Sequence, residues 1–170
     1  MSEKPTKFYS NKQEKIVAAA LGGYKIGGSG AMPGSPGDVK TYDWLVECKT
    51  HTTPGKPIFF DINVWSKIKQ EAAATYRKPV LVVDDGSQSE KKTWCLCKSS
   101  DLNLASMISV SFPVTIRKNI SVKHDKLAEA LKSSERYLGE FYKGGVLEVS
   151  WDGEDVCVLP LSLFKEIFEQ

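Results

Sequence analysis

The sequence predicts an α/β protein built on a mixed central sheet, with an α+β extension at its C-terminal end. Three observations predict it. Helical and strand-like apolar periods follow one another through the first half in the order helix, strands, helix, strand. Pro79-Val80-Leu81-Val82-Val83 is a nearly unbroken apolar run, as expected of a strand covered on both faces. The last third closes with a hairpin pattern around Asp152-Gly153 and a short amphipathic helix.

Ser10 to Leu21 reads as the first helix. Ser10 and Gln13 have capping-box spacing, Ile16, Val17, Ala20 and Leu21 form an apolar face, and Gly22-Gly23 stops it. Tyr24-Lys25-Ile26 is a short strand, and the Gly- and Pro-rich segment 27–37 is a loop. Gly37 to Lys40 and Trp44 to Thr50 flank a turn at Thr41-Tyr42-Asp43 and read as a hairpin. In its second strand Leu45, Glu47 and Lys49 share one face and Val46 and Cys48 the other.

Ile58-Phe59-Phe60 is a short strand. Ile62, Trp65, Ile68, Ala72 and Tyr76 recur at helical spacing, which predicts a helix capped by Asp61 or Asn63, running to about Arg77, with Trp65 and Tyr76 in the core. Thr93 to Cys97 forms a strand after a polar turn region. Between 101 and 145 the pattern is weaker: Val114-Thr115-Ile116 suggests a strand and Asp125 to Leu138 a helix. Val146 to Val149 and Val156 to Leu159 pair as a second hairpin, with a helix through Phe164 and Ile167. The organisation expected is residues 1–100 as a core and 101–170 as an extension packed on it.

The 170 residues are 41% hydrophobic and 26% charged, with a mean hydropathy of −0.27, which excludes a disordered, collagenous or coiled-coil chain. The longest apolar runs fall well short of the roughly 20 residues of a membrane span, and the start lacks the apolar segment of a signal peptide, so a soluble cytoplasmic protein is expected. Cys48, Cys95, Cys97 and Cys157 have neither C-x-x-C nor finger-like spacing and read as buried reduced thiols. His51 and His124 lack partners at metal-binding spacing. The net charge of +2 is uneven: residues 1–80 hold 12 Lys/Arg against 7 Asp/Glu, and residues 81–170 hold 11 against 14. That leaves a modest basic surplus in the first half for a polyanion.

Chemistry concentrates in Asp38 and Glu47-Cys48-Lys49. On adjacent strands, Asp38 and Glu47 can converge on one divalent cation, with Lys49 on the same face as Glu47 and Glu14 upstream on the first helix. Phosphodiester hydrolysis uses such parts: hard oxygen ligands for Mg²⁺, and a cation near the attacking water or the developing charge.

Pro36-Gly37-Asp38 and Glu47-Cys48-Lys49, with the order of elements over residues 8–85, resemble the PD-(D/E)xK nuclease superfamily and its restriction-endonuclease-like αβββαβ core. Glu14 in the first helix, Gly28-Ser29-Gly30 before the Asp and Trp65-Ser66-Lys67-Ile68-Lys69 in the second helix are most similar to archaeal-type and phage Holliday-junction resolvases. One departure is Gly37, where the motif has Pro before its Asp.

The resemblance implies Mg²⁺-dependent cleavage of DNA, with Mn²⁺ able to substitute, by a homodimer acting on branched DNA in recombination or repair. It implies Asp38, Glu47 and the Cys48 backbone carbonyl as metal ligands, Glu14 completing the shell directly or through water, and Lys49 orienting or activating water. Ser29, Lys12, Lys15, Lys25, Lys40, Lys67, Lys69 and Gln70 become candidate DNA contacts, with Arg77 and Lys78 as further phosphate candidates. The alternatives are another nuclease of the superfamily, acting on duplex, nicked or flap DNA, and a non-catalytic nucleic-acid-binding module.

Overall fold

The computed structural model describes residues 3–27 and 36–168. Its elements are α1 (Thr6–Leu21), β1 (Tyr24–Lys25), β2 (Val39–Lys40), β3 (Trp44–Lys49), β4 (Ile58–Phe60), α2 (Ile62–Ala74), β5 (Lys78–Asp84), β6 (Thr93–Lys98), β7 (Met107–Ser111), β8 (Ile120–Val122), α3 (His124–Lys132), β9 (Gly144–Trp151), β10 (Glu154–Pro160) and α4 (Leu161–Phe168). Eight strands form one mixed sheet in the order β1-β2-β3-β5-β6-β10-β9-β7, and β4 and β8 pair separately. The fold is therefore α/β with a large mixed sheet. Among the described residues no helix is long and apolar enough to cross a membrane.

Alternation within the central strands builds two cores. Val46, Cys48, Val80 and Val82 point to one face, where α1 and α4 pack and Trp44 meets Phe164 edge-on at 5.0 Å. Leu45, Leu81 and Val83 point to the other, beneath α2, α3 and the β4–β8 pair. β3 and β5 run parallel, with Glu47 opposite Leu81, and α2 is the crossover between them. β5 is thus buried on both faces, as its unbroken apolar run predicts. All four cysteines are free and buried. β9 and β10 join through Asp152 and Gly153, both at positive φ, the two-residue connection whose twist suits a hairpin.

Several boundaries differ from the sequence expectation. α1 begins at Thr6 after Pro5, not at Ser10; Pro favours a helix start, and Ser10 instead turns its hydroxyl back to the Lys7 carbonyl. α2 is capped by Asp61, whose carboxylate accepts from the Asn63 and Val64 N–H groups, but it stops at Ala74. Arg77 donates from Nε to the Thr41 carbonyl and the Lys78 N–H bonds the Asp43 carbonyl, so the chain must leave the helix early to start β5. Tyr76 is consequently not core: it sits at φ +54° and is 99% exposed.

Val114-Thr115-Ile116 forms no strand. Pro113 removes an N–H just before it, and Val114 and Ile116 pack against the α2-side core without a ladder partner. α3 ends at Lys132, not Leu138, because the Ser133 and Ser134 hydroxyls take the carbonyls of Ala130 and Leu131.

Candidate functional site

The site lies where β2 leaves β3. The Asp38 N–H donates to the Val46 carbonyl at 2.8 Å, continuing the ladder one step beyond β2. The next bond is no longer backbone to backbone: the Cys48 N–H donates to Asp38 Oδ2 at 2.9 Å. Gly37 turns the chain away at φ +69°. A Cβ there would lie 2.9 Å from the Leu45 side chain, so the turn needs glycine. Its N–H is held by Glu71 Oε2 of α2 at 3.1 Å.

Glu47 is buried and projects from β3 on the same face as Lys49, with which it pairs at 2.5 Å. α1 brings a second pair of polar side chains to the end of β3. Gln13 Nε2 donates to the Lys49 carbonyl at 2.7 Å, fixing the helix to the strand, and the adjacent Glu14 is buried and bridged by Lys25 Nζ at 3.0 Å. Lys25 also donates to Asn11 Oδ1.

Charge couples these groups. Burial pushes the Glu14 carboxyl above its ordinary range; the Lys25 hydrogen bond opposes this and the Asp38 charge adds to it. Burial likewise raises Glu47, with the Asp38 charge next, against the Lys49 hydrogen bond and the charges of Lys49 and Lys67. For Lys49, burial pulls downward, but the hydrogen bond to Glu47 and the charges of Glu47 and Asp38 carry the ammonium above its usual value. Asp38 is therefore coupled to both glutamates across the fork in the sheet, and Lys49 stays cationic at neutral pH.

The donor chemistry suits a hard divalent cation. Asp38 and Glu47 offer carboxylate oxygens from neighbouring strands, and the Cys48 carbonyl faces the same side as its N–H, towards Asp38. Among the described residues no three His, Cys, Asp or Glu side chains form a ready-made cage. The two glutamates are drawn instead to their lysine partners.

The basic candidates are dispersed. Lys12 and Lys15 are exposed on α1 on either side of Gln13 and Glu14. Lys67 lies within electrostatic reach of Glu47 and pairs with Glu71 at 3.7 Å, while Gln70 is exposed on the same helix. Lys25 is committed to Glu14. Lys40 lies over the Tyr24 ring at 5.3 Å. Lys69 pairs with Glu154 of β10 at 3.1 Å. Arg77 and Lys78 sit at the opposite end of β3 and β5, tied to the Thr41 and Asp101 carbonyls. Ser29 and the segment Gly28-Ser29-Gly30 lie outside the described residues.

Sequence reasoning missed Gln13, which it assigned to a cap, and Glu71, which steadies the residue before Asp38. The one available signal for Gln13 was its position beside Glu14 on the same helix. Behind the site, Asp84 is fully buried. It accepts from the Thr50 hydroxyl at 2.5 Å and the Gly86 N–H at 2.9 Å, and Gln88 Nε2 bonds the same hydroxyl and the His51 carbonyl. This network pins the chain as it leaves β3.

Comparison with models of protein families, with curated proteins and with solved structures finds no match for this chain.

Proposed function

We propose that the chain is a metal-dependent endonuclease with a restriction-endonuclease-like core, hydrolysing phosphodiester bonds in branched DNA as a homodimer. The observation that carries the reading is that Asp38, hydrogen-bonded to the Cys48 N–H of β3, is coupled electrostatically to both Glu14 and Glu47, the latter paired with Lys49. Asp38, Glu47 and the Cys48 carbonyl would hold Mg²⁺ or Mn²⁺, with Glu14 completing the shell directly or through water. When bound, the ion supplies Lewis-acid polarisation of the phosphoryl oxygen and a lowered pKa for coordinated water.

The chain's own residues do the rest. Asp38, fixed by the Cys48 N–H, and Glu47, fixed by Lys49, present acceptor oxygens in a set orientation. Lys49 is a poor base because its ammonium is stabilised. Its role is to orient the attacking water through hydrogen bonding and to offset negative charge as the phosphorus–oxygen bond to the leaving strand breaks. Gln13 anchors the backbone that carries Lys49. Lys12 and Lys15, exposed on the helix that carries Glu14, and Lys67, within electrostatic reach of Glu47, would meet the backbone phosphates on approach.

The test is a panel of four-way junctions, flaps, nicked and linear duplexes with Mg²⁺, Mn²⁺ or EDTA. Wild type is expected to cut a branched substrate only with metal, and Asp38→Asn, Glu47→Gln and Lys49→Ala to lose about a thousandfold in rate while still binding DNA. Undiminished cutting by all three variants would falsify the reading.

A further inference from the structure

We infer that a cavity beside Lys49 receives one unpaired nucleobase flanking the cleaved phosphodiester, so that the enzyme selects DNA with a base already out of the stack; this rests on the nuclease reading above. The cavity measures about 210 Å³. Leu81 and Val83 of β5 form its floor, on the same face of the sheet as Glu47 and Lys49. Phe59 of β4 and Val64 of α2 wall it, and Phe59 keeps 37% of its surface exposed. Lys49, Thr50, His51 and Asp61 complete the lining, the Asp61 carboxylate being engaged as the cap of α2 by the Asn63 and Val64 N–H groups.

Size, lining and position each bear on the occupant. The volume is below the roughly 300 Å³ at which drug-sized pockets begin, which suits a single ring system and not a dinucleotide. An apolar slot with an aromatic wall favours a π-face over a sugar or phosphate, and such stacking accepts any of the four bases. The His51 ring makes no hydrogen bond among the described residues, so its nitrogens face no competitor for the polar edge of a base. Lys49 belongs to both the cavity and the candidate catalytic group. A base in the slot therefore sits next to the phosphate being cut. A paired base cannot enter without being extruded, and the cost of extrusion is least where pairing is already lost, as at a branch point or flap.

The experiment is a two-way cycle with the 170-residue chain and Mg²⁺ or Mn²⁺. Cut sites are first mapped on the best branched substrate, and the nucleotides on either side are then replaced singly by abasic residues. Val64→Phe fills the slot and Phe59→Ala removes its aromatic wall. Each variant is expected to lower kcat/KM by tenfold or more on the intact substrate. At one flanking position the abasic residue should lower wild-type kcat/KM comparably, and variant and abasic residue together should do no worse than either alone. If the losses multiply, or neither variant changes kcat/KM while wild type still cuts, the pocket assignment fails and the nuclease reading stands. If wild type cuts nothing with either metal, both fall. A thermal melt checks that each variant is folded, and should Val64→Phe not fold, Phe59→Ala decides alone.

Discussion

The Asp38 carboxylate accepts a hydrogen bond from the backbone N–H of Cys48 at 2.9 Å, at the position where a backbone carbonyl of β2 would otherwise continue the ladder. One side chain thus closes the sheet and faces the candidate metal position. The two roles separate by substitution. Asp38→Asn keeps an acceptor oxygen for Cys48 and should fold as wild type while losing cleavage. Asp38→Ala leaves a buried donor unpaired and should also lose about 1–3 kcal/mol of stability. Urea denaturation beside a cleavage assay checks both, and equal stability of the two variants contradicts the structural half of the argument.

Glu47 is buried with its charge disfavoured, chiefly by desolvation and then by Asp38. Without divalent ions, Glu47→Gln should therefore melt at or above the wild-type temperature, although the Lys49 pair is lost. Wild type should gain thermal stability on titration with Mn²⁺ and the variant should gain much less, because a ligand bound only by the folded state stabilises it. Differential scanning calorimetry with and without Mn²⁺ reads both effects.

Gly37 occupies the place where the resembled motif carries Pro. Restoring the motif is expected to harm this chain. Gly37→Pro demands φ near −65° where the backbone sits at +69°, and it deletes the N–H that Glu71 holds. A loss of about 2 kcal/mol or more is expected from strain and the broken bond together. A urea midpoint as high as wild type contradicts this.

Asp84 supplies a pH dependence. Burial raises its pKa, assisted by the neighbouring Asp85 charge, against hydrogen bonds from Thr50, Gly86 and Gln88. For an acid whose folded value lies above its unfolded one, the folded state holds the proton more tightly, so stability declines as pH rises from the unfolded value near 3.8 through the raised folded value. Asp84→Asn keeps an oxygen for Thr50 and Gly86 and should flatten that part of the stability–pH curve. Asp84→Ala leaves those donors unpaired and should be less stable at every pH. Urea midpoints between pH 3.5 and 8 measure the difference.

Much of the architecture was legible because it rests on local alternation. Leu45, Glu47 and Lys49 against Val46 and Cys48, and the run from Val80 to Val83, fixed two strands and the faces they present. The approach of Asp38 to the strand that carries Glu47 followed from placing both on one hairpin. What stayed hidden depends on distant partners. Gln13 has the spacing of a cap, and only the folded chain brings it to the Lys49 carbonyl, 36 residues away. Tyr76 continues the helical period of α2, but the ties of Arg77 and Lys78 to the turn at Thr41 and Asp43 end the helix first. Val114 and Ile116 have strand propensity and no neighbouring strand to use it. Glu71 looks like an ordinary i,i+4 partner of Lys67, and its contact with Gly37 is visible only in three dimensions.

The insertion of β10 between β6 and β9 affects how the protein is made. Cys97 of β6 waits for Cys157 of β10 as its register partner, so a nascent chain that has delivered every candidate catalytic residue still presents β6 as an open apolar edge. Until the ribosome has released about sixty further residues, that edge is a template for intermolecular pairing. The stretch of synthesis between β6 and β10 is therefore the interval in which chaperone protection of this chain would matter most.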